Sequence, residues 1–125
     1  MEDRYLFKAK DCNSIWRAGL LIALQEGRCA IEEKDGSKWA CDSETLCQCT
    51  GLKDKNGKLI WENDIVACRD FTEEKYVIGW KQDEACFEYQ QNGYSIMNFE
   101  QLSGCEVEVI GNILDNAGLL LESEG

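Results

Sequence analysis

The 125-residue chain contains no histidine and no proline. Without an imidazole there is no Ser-His-Asp triad and no Cys-His pair, so the commonest nucleophilic machinery is excluded. The commonest side-chain metal ligand is missing as well. No proline-rich stretch, low-complexity tract or internal repeat marks a linker. No apolar run approaches the roughly 20 residues of a membrane-spanning helix; the most apolar segment, Ala18 to Leu24, is far shorter. The opening Met1-Glu-Asp-Arg-Tyr-Leu-Phe-Lys8 is charged and lacks the apolar centre of a secretory signal. Together these absences predict a cytosolic protein with no membrane partner. Basic residues are absent from the end of the chain: 13 bases and 15 acids stand up to Lys81, then nine acids and no base, so −9 of the net −11 falls in the last third. Such a surface opposes nucleic-acid phosphates. It reads as a solvated acidic face or, more sharply, as one that meets a basic partner or mimics DNA.

What is present is globular in character. Hydrophobic residues make up 44% and charged residues 30%, and four Trp, four Tyr and four Phe supply large core faces. One domain of modest core fits the length. Eight cysteines stand at 12, 29, 41, 47, 49, 68, 86 and 105. In a reducing compartment they are free thiols that pack as small hydrophobes. Cys29 in Arg-Cys-Ala-Ile and Cys68 in Ile-Val-Ala-Cys occupy apolar strand positions.

Along the chain, short strand-like runs alternate with polar turns. Tyr5 to Ala9 alternates and reads as a first strand. Ile15 to Leu24 is apolar nearly throughout, and periodicity leaves a buried strand and a helical turn both open. Glu26-Gly27-Arg28 and Lys34-Asp-Gly-Ser37 read as turns, the second leading into Trp39-Ala-Cys41. Leu46 to Thr50 reads as a strand, followed by a reversal at Asn56-Gly57, a dipeptide suited to a type I′ turn with positive φ at both residues. Leu59-Ile-Trp61 follows, then a corner at Asn63, a plausible left-handed residue, then Ile65 to Cys68. Tyr76 to Trp80 is a further strand, and Gln91-Asn92-Gly93 marks a second hairpin. Glu106-Val-Glu-Val-Ile110 alternates as a half-buried strand does. Asp115 or Asn116 then caps a short closing helix containing Leu119 to Leu121. The expected fold is mainly β. Residues 59–113 form a meander curling into a small, partly closed SH3-like barrel, and residues 1–50 add strands to it or pack against it, in a single domain over 1–125.

The stretch Cys47-Gln-Cys-Thr-Gly-Leu-Lys-Asp-Lys-Asn-Gly-Lys-Leu-Ile-Trp-Glu-Asn-Asp-Ile-Val66 resembles the central signature of the YopX family of phage and prophage proteins. Glu108-Val-Ile-Gly-Asn-Ile113, followed by Asp115-Asn116 and Leu119-Leu120, resembles its second half. Phe7-Lys-Ala-Lys-Asp11 with Trp16 is more loosely similar to its start. Two positions depart from the family pattern. Asn63 stands where the family usually has Gly, and Ala117 where it often has Pro. Asn tolerates the same left-handed backbone, so the corner survives. The resemblance implies a mainly β fold, a phage or prophage origin and action inside a bacterial host. It carries over no catalytic residue, because the family is one of uncharacterised function.

Weighed singly, the remaining constellations favour structure over chemistry. Cys47-Gln-Cys49 is the only close cysteine pair, and alternate strand residues share a face, so packing explains it better than zinc. Asp54-Lys-Asn-Gly57 touches on an EF-hand loop, but Leu52 would stand first and Asn63 twelfth, so calcium is disfavoured. Trp61, Glu62 and Asp64 flank the signature corner. Asp64 is expected to accept backbone N–H bonds there, and the three together are the candidate partner-binding edge, with Trp61 as aromatic anchor. The functional expectation is a non-catalytic protein-interaction module without cofactor. Its partner would be a host or phage protein of basic character, or a second copy in a homo-oligomer. A nucleic-acid-binding small barrel is the alternative, favoured by the aromatic strands and opposed by the charge.

Overall fold

A computed structural model describes residues 5–67, 75–81, 86–91, 94–98, 107–116 and 118. The elements among them are eleven strands and one 3-10 turn at Ser43–Thr45. The chain divides into two compact units, Met1–Gly51 and Leu52–Gly125.

In the N-terminal unit, β1 (Phe7–Lys10), β2 (Trp16–Gln25), β3 (Arg28–Glu32), β4 (Lys38–Asp42) and β5 (Cys47–Lys53) lie antiparallel in the order β4-β3-β2-β1-β5. The run from Ile15 to Leu24 resolves as strand, and β2 is shared end to end. Its first half pairs with β1, Lys10 opposite Trp16 and Phe7 opposite Gly19. Its second half pairs with β3, Leu20 opposite Glu32 and Gln25 opposite Arg28. Where the partners change, the Glu32 carbonyl lies so close over Gly19 that a Cβ there would overlap it; only glycine permits this crossing. A register shift between Leu21 and Ala23 leaves Ile22 as a bulge. The sheet rolls until Asp11 meets Cys41 through one isolated bridge. Inside the roll Ala9, Cys29, Ile31 and Cys41 are buried, with Phe7, Leu21, Trp39 and Leu46 packed against them. The apolar run is not buried on both faces, since Ile22 is 46% and Leu24 60% exposed.

Beyond Gly51, β5 runs into a turn and then β6 (Leu59–Trp61), the sixth strand of that order. The C-terminal unit's own sheet contains β7 (Asp64–Ala67), β8 (Lys75–Lys81), β9 (Cys86–Gln91), β10 (Tyr94–Asn98) and β11 (Glu108–Asn112), in the order β10-β9-β8-β7-β11. Strands β9 and β10 pair antiparallel on either side of the second expected turn, Gln91 opposite Tyr94, and the turn residues 92 and 93 lie outside the described residues. The last strand returns to pair with β7, Val109 opposite Val66. Its core is Ile60, Val66, Tyr76, Ile78, Tyr89 and Val107, with the Tyr76 and Tyr89 rings edge to face at 6.0 Å. Each fully buried Ile or Val contributes about 2 kcal/mol through removal from water. The fold is mainly β, as expected, but among the described residues neither sheet closes into a barrel. The expected closing helix at Leu119–Leu121 lies outside the described residues, as do Cys68 and Cys105.

Three hairpins share one turn. Ser14 N–H donates to the Asp11 carbonyl and Asp11 N–H to Ile15 O; Gly36 donates to Glu33 O and Glu33 to Ser37 O; Gly57 donates to Asp54 O and Asp54 to Lys58 O. In each the fourth residue is left-handed: Ser14 at φ 61°, Gly36 at 91° and Gly57 at 82°. This is a type I turn followed by a left-handed bulge residue. It corrects the type I′ expectation at Asn56-Gly57, because Asn56 does not take positive φ. The reason is Asp54, whose side chain stabilises the right-handed turn from its first position. Asn63 is left-handed at φ 73°, as the sequence suggested.

Two substitutions test this geometry by chemical denaturation. Gly57→Ala places a Cβ in left-handed backbone and is expected to cost about 1 kcal/mol. Ser14→Gly relieves the same strain and is expected to stabilise by about 0.5 kcal/mol net of the added chain entropy.

Candidate functional site

The corner between β6 and β7 brings the three candidate residues together. Trp61 ends β6, Glu62 and Asn63 form the bend, and Asp64 opens β7. Asp64 is buried at 3% exposure and accepts from the Trp61 N–H at 2.8 Å, which is the structural role expected of it. Asn63 N–H donates to the Ile78 carbonyl at 2.7 Å, and Ile113 N–H donates to Asn63 O at 3.0 Å. The bend is thus tied to β8 and to the turn after β11. Trp61 and Glu62 are both half-buried on it. The turn after β11 is itself knotted by Asn112. The Asn112 side-chain oxygen accepts from Leu114 N–H at 3.0 Å and Asp115 N–H at 2.8 Å, while its backbone N–H donates to Asn116.

Sequence reasoning missed the centre of this assembly. Asp54 is 5% exposed. Its Oδ1 accepts from Asn56 and Lys58 N–H, each at 2.9 Å, and its Oδ2 accepts from Val109 N–H, also at 2.9 Å and 55 residues away. Lys55 N–H donates to Val107 O beside it. One carboxylate therefore closes the turn and clamps it to the strand that carries the second half of the family signature. The available signal was the pattern Asp54-x-x-Gly57, Asp at the first and Gly at the fourth position of a type I turn. Burial pushes the Asp54 carboxyl up, but the N–H bonds from Val109, Lys58 and Asn56 outweigh it and hold the group below its ordinary range.

Asp11 repeats the device in the N-terminal unit. Its Oδ1 accepts from Asn13 and Ile15 N–H at 2.8 and 3.1 Å, and its Oδ2 from Arg17 Nε at 2.9 Å. The Arg17 guanidinium lies 3.5 Å over the Trp39 ring, whose indole N–H donates to Glu33 at 2.6 Å. The Ile15 N–H chiefly, with Arg17 and Asn13, holds the Asp11 carboxyl low against its burial. On the other face of β1 and β2, Lys8 and Lys10 bring their ammonium groups to 4.6 and 5.3 Å from the Trp16 ring.

Glu88, also unforeseen, is 5% exposed; one carboxylate oxygen accepts from Gln90 at 2.6 Å and the other has no hydrogen-bond partner. Cys29 and Cys41 are free thiols and buried, Cys47 and Cys49 are buried as well, and Cys12 is exposed. Among the described residues no group of three Cys, Asp or Glu side chains converges as a metal site, and no helix is long and apolar enough to cross a membrane.

Two antiparallel sheets, turns fastened by buried aspartates and an aromatic–acidic corner define an all-β protein in two units. The chain belongs to the YopX family: the family model described as YopX protein matches residues 6–121, across both units. No curated protein matches the sequence.

Removing the clamp tests its role. Asp54→Ala leaves the Val109 N–H without its acceptor and is expected to cost about 2–4 kcal/mol. Asp54→Asn, which keeps one acceptor, costs about half that. Lys55→Ala, which removes only a 3.6 Å surface pair with Glu108, stays within about 0.5 kcal/mol. The pH dependence follows from the same groups. Asp11, Asp35 and Asp54 all have folded values below the ordinary 3.8. Their stabilisation is complete above the unfolded value and is lost as pH falls through the folded ones. The urea midpoint is expected to be flat from pH 7 to about 5 and to drop steeply below about 4.

Proposed function

We propose that this protein works by binding another macromolecule and not by catalysis, as a phage- or prophage-encoded module in the bacterial cytoplasm. The supporting observation is the corner at residues 61–64. Its backbone is held by three hydrogen bonds, from Trp61, Asn63 and Ile113, so Trp61 and Glu62 are displayed on a rigid frame. Preorganised aromatic anchors lose little entropy on binding and supply much of an interface's energy. Asp64 shapes the edge from beneath. Glu62 and the acidic C-terminal third favour a basic protein partner from host or phage, with a second copy of the chain as the competing occupant. Of the four acids buried among the described residues, three accept hydrogen bonds from the backbone, which gives each a structural task.

A second reading rests on Lys8 and Lys10 beside Trp16. Basic side chains interleaved with an aromatic ring suit a nucleic-acid strand, and small SH3-like barrels, the finer form of the fold expected here, serve that purpose. The net charge of −11 opposes it.

Affinity capture from host lysate, followed by cross-linking, tests the first reading. The expected result is a basic protein whose recovery drops at least tenfold with Trp61→Ala or Glu62→Lys, both variants keeping the wild-type denaturation midpoint within about 1 kcal/mol. Equal recovery by wild type and variants sinks the proposed edge. Sedimentation at micromolar concentration identifies self-association through the same residues. Retention of single-stranded DNA or RNA at low salt, lost in Lys8→Ala/Lys10→Ala and at higher salt, would replace the first reading with the second.

A further inference from the structure

Cys29 on β3 and Cys41 on β4 are partners in antiparallel register. The hairpin is closed by the Glu33 N–H bond to Ser37, and beyond its other end Ser43 N–H donates to Gly27 O. Counting inward from either end in steps of two makes 29 and 41 a hydrogen-bonded pair. In such pairs the Cα atoms lie about 5.5 Å apart and both side chains leave the same face. That separation falls at the commonest value for disulfides. Both residues point into the core of the roll, at 4% and 6% exposure, and both are free thiols.

The surroundings differ for the two. Cys29 sits on an inner strand, between β2 and β4. Cys41 sits on the edge strand, held on its far side by the single bridge to Asp11. Fraying of β4 therefore exposes Cys41 first, and its reclosure returns the sulfur to Cys29.

We propose that Cys29 and Cys41 are a redox modification site, forming a cross-strand disulfide by exchange with a low-molecular-weight disulfide of the glutathione type. In the opened hairpin the Cys41 thiolate attacks one sulfur of the small disulfide. A mixed disulfide forms, and one small thiolate leaves and takes up the proton that Cys41 released. On reclosure the Cys29 thiolate attacks Cys41 Sγ, forming the protein disulfide and expelling the second small thiolate, which is protonated in turn. Two protein thiols are oxidised and one small disulfide is reduced to two thiols. In the closed hairpin, burial pushes the Cys41 thiol up to about 11 and also raises Cys29, so exchange runs through the opened form. The bond staples β3 to β4 at the residue where the sheet meets Asp11, so oxidation stiffens the N-terminal roll.

The test uses the full chain, brought to equilibrium in buffers of rising glutathione disulfide content, quenched with acid, unfolded and alkylated. Trypsin then separates Cys29–Lys34 from Trp39–Lys53. The expected product links these two peptides, with fragmentation placing the bond at Cys41 and leaving Cys47 and Cys49 alkylated. The melting midpoint of the oxidised form rises by about 5–10 °C. Cys12→Ser leaves the link intact, and Cys29→Ser abolishes it. Full alkylation of both residues in the most oxidising buffer, a terminal mixed disulfide at Cys41, or a bond from Cys41 to Cys12 or to a cysteine of its own peptide would each overturn the proposal.

Discussion

In a chain without proline, backbone reversals are enforced by short carboxylates and amides that bond the main chain of their own turn. Asp11, Asp35, Asp42 and Asp54 each accept an N–H two residues on, Asp64 accepts one from three residues back, and Asn112 gathers the turn after β11. Each such bond satisfies a donor that a tight turn would otherwise leave open, and a buried one does so where water cannot. Asp54 reaches furthest. Because its second oxygen holds Val109, the reversal between β5 and β6 and the course of β11 depend on one ionised group.

Both cores follow from these turns. Hairpins closed at residues 11–15 and 33–37 set the register that stacks Ala9, Cys29, Ile31 and Cys41 inside the N-terminal roll. In the C-terminal unit the Asn63 corner and the Asn112 knot deliver Val66 and Val107 to the Tyr76–Tyr89 pair. Much of the family signature is thereby accounted for by folding. Asp54 and Gly57 make one turn, Asn63 and Asp64 another, and Asn112 with Asp115 and Asn116 a third. Trp61 and Glu62 are carried between two of these turns.

Local features were legible in the residues to the extent that their cause was local. Asn63 was readable as left-handed because few side chains tolerate that backbone, and Cys47 and Cys49 as shared packing because alternate strand residues share a face. The Asn56-Gly57 reversal was placed correctly but given the wrong hand, since the preference of the dipeptide was weighed without the aspartate two positions earlier. The run from Ile15 to Leu24 read as a buried strand or a helical turn, and it is a strand; its bulge at Ile22 and exposed Leu24 accompany the change of partners at Gly19, which depends on a carbonyl from β3. The corner residues 61–64 were found by pattern. Asp54 and Glu88 were passed over because an acid among 24 has no mark of burial in its own letter.

By itself, then, the order of residues determined several of the places where the chain reverses, the left-handed corner at Asn63, and that no imidazole chemistry is available. Those depend on interactions within a few residues, or on what is absent everywhere. Tertiary structure alone decided that the described strands form two sheets, that β11 returns to β7, that Asp54 serves a strand 55 residues away and that Cys29 stands opposite Cys41. Strand order and cross-strand register are set by the joint burial of side chains from distant segments, and that energy exists only once the segments have met.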